Sequence, residues 1–274
     1  MGALLIVLAA GVLAVDQRLK PWAPFLFVLL LGLAEAACYE LLHLLPPPRR
    51  PAGWLCSLGV AGLVTANWAA AVCGWEPWRL IAGVFGAVVL AAFLVEMARF
   101  RGPGESVTRI ALTVWTAAYL GLLPCFLAQL RWLPERVCGD PSTTALALAI
   151  FVPKCCDIGA YFSGRFLGRH HMAPVLSPKK TWEGAAGGLA ASVAAAFAIN
   201  RLGPAPALYH AWWVAVGFGL TVGLGGMFGD LAESLVKRDC QQKDASQAVP
   251  GFGGVLDVVD AVILAGPVAY WWLR

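Results

Sequence analysis

Long apolar runs separated by short polar breaks dominate the pattern along this chain. Most runs reach the roughly 20 residues that a helix needs to cross the hydrocarbon core of a bilayer. They are continuous rather than alternating in short units, which excludes the strands of a membrane barrel. The pattern predicts about nine membrane-spanning helices, the first of them short, over residues 2–15, 22–45, 53–74, 78–98, 107–130, 142–168, 184–200, 208–236 and 254–273.

The composition supports this membrane assignment. Of the 274 residues, 59% are hydrophobic and 13% are charged, and the mean hydropathy is +0.72. A soluble domain carries roughly 45–50% apolar and about 25% charged residues, because its surface needs polar cover. These values exclude an ordinary soluble enzyme, a disordered chain and a nucleic-acid-binding protein with a basic face. The predicted fold class is an all-α polytopic membrane protein.

The distribution of basic residues predicts which ends of the helices face the cytoplasm. The net charge is +4, and Lys and Arg are concentrated in the breaks after the second, fourth, sixth and eighth runs. The positive-inside rule places these breaks in the cytoplasm. The amino terminus is then expected on the same side.

The two halves of the chain differ in the carboxylates that their apolar runs contain. In residues 1–140, the acidic residues inside the runs are Glu35, Glu40 and Glu96. Residues 141–274 place carboxylates in the runs repeatedly and carry two polar loops, 165–183 and 237–253. An aspartate at the bilayer centre costs roughly 2.5–3.5 kcal/mol on insertion scales, so each such residue is a candidate for function. The first half is therefore predicted to be structural and the second half catalytic.

Carboxylates and basic residues meet around the last polar loop. Asp257 and Asp260 are three residues apart and share one face of the predicted ninth helix, and Asp230 lies near the end of the eighth. The loop between these helices adds the cations Lys237, Arg238 and Lys243. Carboxylate oxygens beside phosphate-binding cations suit Mg²⁺, which binds one or two carboxylates together with substrate phosphates.

Glycines add two features to this region. Gly253 and Gly254 precede the ninth helix, where close backbone approach and the helix start favour anions. The run 217–229 is rich in glycine and predicts either tight helix contact or a substrate groove. The alternative for the loop as a whole is a solvated segment with ordinary helix caps, in which Asp257 only interacts with the helix dipole.

A second polar group lies upstream, in the sixth run and the loop that follows. Asp157, Tyr161 and Arg165 recur at helical spacing and share one face. The loop then carries hydroxyl, cationic and acidic residues, namely Ser177, Lys179, Lys180, Thr181 and Glu183. Such a cationic turn can hold a polyphosphate at the membrane surface. The alternative is a membrane anchor that also caps the seventh helix.

Three stretches resemble the motifs of a known family. They are Cys156-Asp157-Ile-Gly-Ala-Tyr161-Phe-x-Gly-Arg165, Ser177-Pro-Lys-Lys-Thr-Trp-Glu-Gly184, and the run from Ser234 through Lys237-Arg238 and Lys243-Asp244 to Phe252-Gly-Gly-Val-x-Asp257-Val-Val-Asp260. In order and spacing they are similar to the motifs of phosphatidate cytidylyltransferases (CDP-diacylglycerol synthases), over roughly residues 153–262. The family usually has His at the position of Phe252, Arg at that of Val258 and Asn at that of Cys156.

The resemblance implies transfer of the cytidylyl group of CTP to phosphatidate, giving CDP-diacylglycerol and pyrophosphate. It implies Mg²⁺, with room for a second cation, and ligands from Asp157, Asp230, Asp257 and Asp260. Phosphates would be neutralised by Lys179, Lys180, Lys237, Arg238 and Lys243, with Lys243 near the departing pyrophosphate. Further substrate contacts would come from Tyr161, Arg165, Ser177, Thr181, Glu183, Gly253 and Gly254. The implied setting is the inner membrane with a cytoplasmic active site, and a homodimer is compatible with it.

Two other interpretations stay open at this point. One is a related membrane nucleotidyl or phosphoryl transferase with another lipid acceptor, such as a CDP-archaeol synthase or a polyprenol kinase. The other is an ion-coupled transporter that uses Asp157 and Asp230 as ion sites. A transporter predicts internal repeats and acidic residues in both halves, and the sequence has no visible repeat.

Overall fold

The fold is an assembly of apolar helices, seen in a computed structural model that describes residues 11–13, 15–134, 140–202, 208, 211–242, 246 and 253–274. Within these residues, eight helices are long and apolar enough to cross a membrane. They correspond to the second to ninth predicted runs, and the chain is therefore a helical, multi-pass membrane protein. The first predicted run, 2–15, lies mostly outside the described residues, so the count of nine remains a prediction.

The helices are numbered in chain order as α1 (Pro24–Leu44), α2 (Gly53–Cys73), α3 (Pro77–Arg99), α4 (Ser106–Thr116), α5 (Leu123–Gln129), α6 (Ser142–Leu167), α7 (Trp182–Leu202), α8 (Trp212–Asp239) and α9 (Val255–Leu273). Helices α4 and α5 belong to one span, which a π-helical turn at Ala117–Leu122 interrupts. Pro124 follows this turn, and because proline has no N–H to donate, the regular hydrogen-bond ladder is broken there. The span ends in a 3-10 turn, Leu130–Trp132.

A short antiparallel hairpin connects α6 and α7. It consists of β1 (His171–Ala173) and β2 (Ser177–Thr181), with His171 opposite Thr181 and Ala173 opposite Ser177. The sequence pattern predicts a cationic turn here, but the structure places both lysines in a strand that leads directly into α7. The strand satisfies its backbone groups by pairing, and it holds the basic side chains next to the end of α6.

Glycines bring the helices of the second half close together. A Cβ atom on Gly159 of α6 would lie 3.0 Å from the carbonyl oxygen of Gly187 on α7. A Cβ on Gly226 of α8 would lie 2.7 Å from the Cβ of Pro153 on α6. The predicted tight contact of the 217–229 run is therefore confirmed, since small residues let helix backbones approach in a membrane.

Helix α9 contacts both halves of the chain. Leu256 and Ile263 pack in one buried apolar cluster with Leu41 of α1. Ala269 packs in another with Phe218 of α8. Because α9 carries two of the predicted metal ligands, its contacts on both sides help to set their position.

Candidate active site

A cleft of about 430 Å³ opens where the hairpin meets α6, α7 and α8. The predicted site residues that line it are Asp157, Tyr161, Arg165, Lys179, Lys180, Thr181 and Asp230. The rest of the wall is small or apolar, and consists of Ala160, Gly164, Met172, Gly184, Ala185 and Met227. The fold thus brings the two upstream motifs together with the end of α8.

Close packing fixes the start of α7 at this cleft. Thr181 is buried, and its hydroxyl oxygen accepts a hydrogen bond from the backbone N–H of Gly184 at 3.1 Å, as a helix-capping side chain does. A Cβ on Gly184 would lie 2.9 Å from the carbonyl oxygen of Ala160. Only glycine fits there, so the start of α7 lies directly against α6.

Two basic side chains at the cleft are exposed. Arg165 donates a hydrogen bond through Nη1 to the hydroxyl of Tyr161 at 2.8 Å. Among the described residues, neither Arg165 nor Lys179 forms an ion pair with a carboxylate. Their charges are therefore available to a phosphate group, for which both side chains are suitable donors.

Lysines connect the carboxylates below the cleft. Lys180 Nζ lies 2.8 Å from Asp230 Oδ2. Lys154, within α6, lies 3.5 Å from Asp157 Oδ2 and 3.4 Å from Asp260 Oδ1. A lysine inside a membrane helix needs such partners, and this one joins α6 to α9.

Three carboxylates form a group that could hold a metal ion. Ligand oxygens of Asp230, Glu233 and Asp260 all lie within 4.8 Å of one another. Glu233 and Asp260 are buried, with 2% and 5% of their surface exposed. The backbones of α8 and α9 approach closely here, since a Cβ on Gly229 would lie 2.5 Å from the carbonyl oxygen of Asp260. This close approach places Asp260 beside Asp230. Two of the predicted ligands are thus adjacent, together with a glutamate that the sequence analysis did not select.

Asp257 has different neighbours. Its Oδ1 lies 2.5 Å from Lys237 Nζ, and its Oδ2 accepts a hydrogen bond from the N–H of Gly254 at 2.6 Å. Lys237 also lies 2.8 Å from Glu233 Oε2. Asp257 is therefore connected to the three carboxylates through Lys237 and through a direct side-chain contact with Glu233, and its role as a metal ligand remains a prediction. The N–H of Gly254 is engaged by this carboxylate.

These charged groups form one continuous network. Its five carboxylates are Asp157, Asp230, Glu233, Asp257 and Asp260, and its three ammonium groups are Lys154, Lys180 and Lys237. The network thus contains more carboxylates than ammonium groups. A bound cation would offset that excess, and carboxylate oxygens are the hard ligands that Mg²⁺ prefers.

The other predicted site residues lie at or beyond the edge of the cleft. Arg238 donates through Nε to the carbonyl oxygen of Leu176 in the hairpin at 3.3 Å. Glu183 accepts hydrogen bonds from the backbone N–H groups of Arg169 and His170, at 3.1 and 3.2 Å. Ser177 and Gly253 do not line the cleft. Lys243 and Phe252 lie outside the described residues.

Lys154, Glu233 and Glu40 were not among the predicted site residues. Lys154 and Glu233 were detectable, because each lies three residues from a predicted ligand on the same helix, Asp157 or Asp230. The carboxylate of Glu40 on α1 accepts hydrogen bonds from the first backbone N–H groups of α9. No local spacing could have revealed that contact, since it joins distant parts of the chain.

Comparison with known proteins identifies a family and several relatives of this chain. A sequence profile described as the cytidylyltransferase family matches residues 2–274. The chain is 36% identical over 211 residues to a phosphatidate cytidylyltransferase of Brucella suis biovar 1, an alignment that covers 72% of this chain and 71% of the relative. It is 32% identical over 208 residues to phosphatidate cytidylyltransferase 5, chloroplastic, of Arabidopsis thaliana, covering 69% of this chain and 51% of the relative.

A phosphatidate cytidylyltransferase of Mycobacterium tuberculosis is 35% identical over 171 residues, which cover 62% of this chain and 48% of the relative. The chain thus spans about half the length of the plant and mycobacterial relatives and more of the Brucella one. The profile match extends over nearly all of the sequence. This chain belongs to the cytidylyltransferase family.

Proposed function

We propose that this protein transfers the cytidylyl group of CTP to phosphatidate and so forms CDP-diacylglycerol and pyrophosphate. The observation that carries the proposal is the cleft in which cations of the hairpin face Asp157 of α6 and Asp230 of α8. The names of the relatives support this reaction. These names favour this reaction over transfer to another lipid acceptor, over a polyprenol kinase activity and over ion-coupled transport.

The cleft has the groups that such a reaction needs. A phosphate oxygen of phosphatidate bonds to the α-phosphorus of CTP, and the bond between that phosphorus and the pyrophosphate oxygen breaks. The attacking phosphate is already ionised, so positioning and neutralisation of charge are the main requirements. Arg165 and Lys179 are exposed at the cleft and suit the phosphates, while Lys180 is held by Asp230 at its wall.

Mg²⁺ is the cofactor that we propose, and the donor set fits it. Asp230, Glu233 and Asp260 offer only carboxylate oxygens, which are hard ligands. When bound, the cation supplies positive charge that stabilises the phosphates and the departing pyrophosphate. Lys154 and Lys237 hold the outer carboxylates of the network in place, which preorganises the site for its ligands.

The cleft is proposed to face the cytoplasm, where CTP is available. The cleft lies beside the start of α7. The start of α9 and the end of α1 lie at the same end of the bundle, where Glu40 contacts the first residues of α9. Arg49, Arg50 and Arg99 belong to this end, and the positive-inside rule assigns such an end to the cytoplasm. Phosphatidate would enter sideways from the bilayer, with its acyl chains in lipid and its phosphate at the hairpin.

A direct assay tests the proposal. Purified, detergent-solubilised protein would receive CTP labelled at the α-phosphorus, phosphatidate and Mg²⁺, with ATP and GTP as alternative nucleotides and a chelator as control. We expect labelled CDP-diacylglycerol from CTP alone and none with the chelator. Label transfer only to another lipid phosphate, or no transfer at all beside an active relative, would contradict the proposal.

A further inference from the structure

Glu40 on α1 lies far from the cleft in sequence but contacts the helix that carries Asp260. Its side chain is buried, with 4% of the residue exposed. One carboxylate oxygen accepts a hydrogen bond from the N–H of Val255 at 2.9 Å, and the other accepts one from the N–H of Leu256 at 2.8 Å. The hydroxyl of Ser246 donates a third hydrogen bond at 2.6 Å.

The negative charge of Glu40 is balanced by the start of a helix. Among the described residues, no Lys or Arg forms an ion pair with it. The first N–H groups of a helix have no partner within the helix, and they carry the positive end of its dipole. A carboxylate that accepts two of them forms charge-assisted hydrogen bonds, which are stronger than neutral ones. Glu40 therefore fixes the amino end of α9.

The position of α9 decides whether the three carboxylates meet. Asp260 lies in the second turn of this helix, and its neighbours Asp230 and Glu233 lie on α8. The close approach at Gly229 sets the distance between these two helices. At the amino end of α9, the ion pair between Lys237 of α8 and Asp257 of the first turn holds α9 to α8. Glu40 supplies a second polar anchor from α1, and the same carboxylate also holds Ser246 of the last polar loop.

We propose that Glu40 is a positioning residue for the reaction: it holds α9 so that Asp260 joins Asp230 and Glu233, without itself touching the substrate. This inference rests on the proposed function. A residue that acts through its neighbours lowers kcat and metal affinity when it is changed. Replacing groups that orient metal ligands typically costs about 10- to 100-fold in metal affinity or activity.

Glu40→Gln is the informative variant, because it keeps the size of the side chain but has a single acceptor oxygen. We expect kcat to fall about 10- to 100-fold and the half-saturating Mg²⁺ concentration to rise, with little change in the KM for CTP. Glu40→Ala should lose more activity, and Glu40→Asp should recover part of it, since aspartate keeps both oxygens on a shorter stem.

Glu35→Gln is the matched control. Glu35 lies on the same helix, but its carboxylate accepts a hydrogen bond from Ser57 of α2 at 2.5 Å, so this variant should keep wild-type kcat and Mg²⁺ dependence. Hydrogen exchange of the Val255 and Leu256 amides gives a readout that needs no turnover. We expect exchange to quicken in Glu40→Gln and to stay unchanged in Glu35→Gln.

The outcomes separate this inference from the proposed function. Wild-type kcat, Mg²⁺ dependence and amide protection in Glu40→Gln would overturn it, as would an equal loss in Glu35→Gln. If Glu40→Ala fails to fold, thermal unfolding will reveal it, and Glu40→Gln and Glu40→Asp then decide. If the wild-type protein transfers no cytidylyl group, the proposed function fails, while Mn²⁺ affinity and amide exchange still decide whether Glu40 positions α9.

Discussion

The two halves of this protein use intramembrane carboxylates differently. In the first half, Glu35 binds the hydroxyl of Ser57, and Glu96 forms an ion pair with Arg109 at 2.7 Å. In the second half, five carboxylates share three lysines. Ionised carboxylates that cluster in a buried site repel one another. Such a cluster is tolerated where a bound ligand neutralises its negative charge. One-to-one pairing thus indicates a structural role, and clustering indicates a functional one.

Glycines show a similar contrast. In the first half, a Cβ on Gly32, Gly83 or Gly86 would meet nothing within 4 Å, and one on Gly121 would lie 2.6 Å from a side-chain carbon of Leu63. In the second half, a Cβ on Gly159 or Gly229 would collide with the backbone of a neighbouring helix. The second half is therefore packed closely enough for side chains from three helices to form one cluster.

The largest expected effect comes from the cluster of carboxylates. Asp260→Asn should lower kcat by at least about 1,000-fold, because a metal ion supplies several kcal/mol and each 1.36 kcal/mol is a factor of ten. Glu96→Gln, in the first half, should keep wild-type turnover. The measurement is kcat for labelled cytidylyl transfer by purified protein, with thermal unfolding as the control for folding. Near-normal turnover in Asp260→Asn would contradict the functional role given to the carboxylates of the second half.

The next effect tests close packing. In Gly229→Ala the new methyl group would lie 2.5 Å from the carbonyl oxygen of Asp260, so α8 and α9 must move apart. We expect a loss of about 1–3 kcal/mol in stability, together with weaker Mg²⁺ activation. Gly86→Ala has open space and should change neither property. Thermal unfolding and Mg²⁺ titration of both variants check this, and equal behaviour of the two would refute it.

A smaller effect is expected for Lys154. Lys154→Gln removes the cation between Asp157 and Asp260, so repulsion between these carboxylates should displace them from the arrangement seen here. We expect turnover to fall about tenfold, which corresponds to losing one hydrogen bond to a charged group. Raised Mg²⁺ should restore part of the activity. A turnover that equals the wild-type value at every Mg²⁺ concentration would contradict the role given to this lysine.

The smallest effect is expected at the rim of the cleft. Tyr161→Phe removes the hydroxyl that accepts a hydrogen bond from Arg165. Because both side chains are exposed, the change should cost at most about 1 kcal/mol and raise the KM for CTP less than about fivefold. Steady-state kinetics check this prediction. A loss as large as that of Asp260→Asn would mean that the rim, and not the buried cluster, dominates the reaction.

The sequence predicts the spans better than it predicts the site. Eight spans follow from runs of about 20 apolar residues, a local property. The hairpin escapes prediction because its strands are short and pack against α6, where a Cβ on Gly164 would lie 3.1 Å from the hydroxyl oxygen of Thr181. The position of Glu233 depends on the rotation of α8 against α9. Glu40 reaches the site through a contact between distant segments, which no local pattern contains.

The proposed function requires that the buried carboxylates of the second half hold the catalytic cation. Electron paramagnetic resonance of Mn²⁺ bound to the purified protein tests it without any assumption about the lipid acceptor. We predict a Mn²⁺ site that Mg²⁺ competes for, that is lost in Glu233→Gln and that is kept in Glu96→Gln. Equal Mn²⁺ affinity in these two variants would contradict the claim.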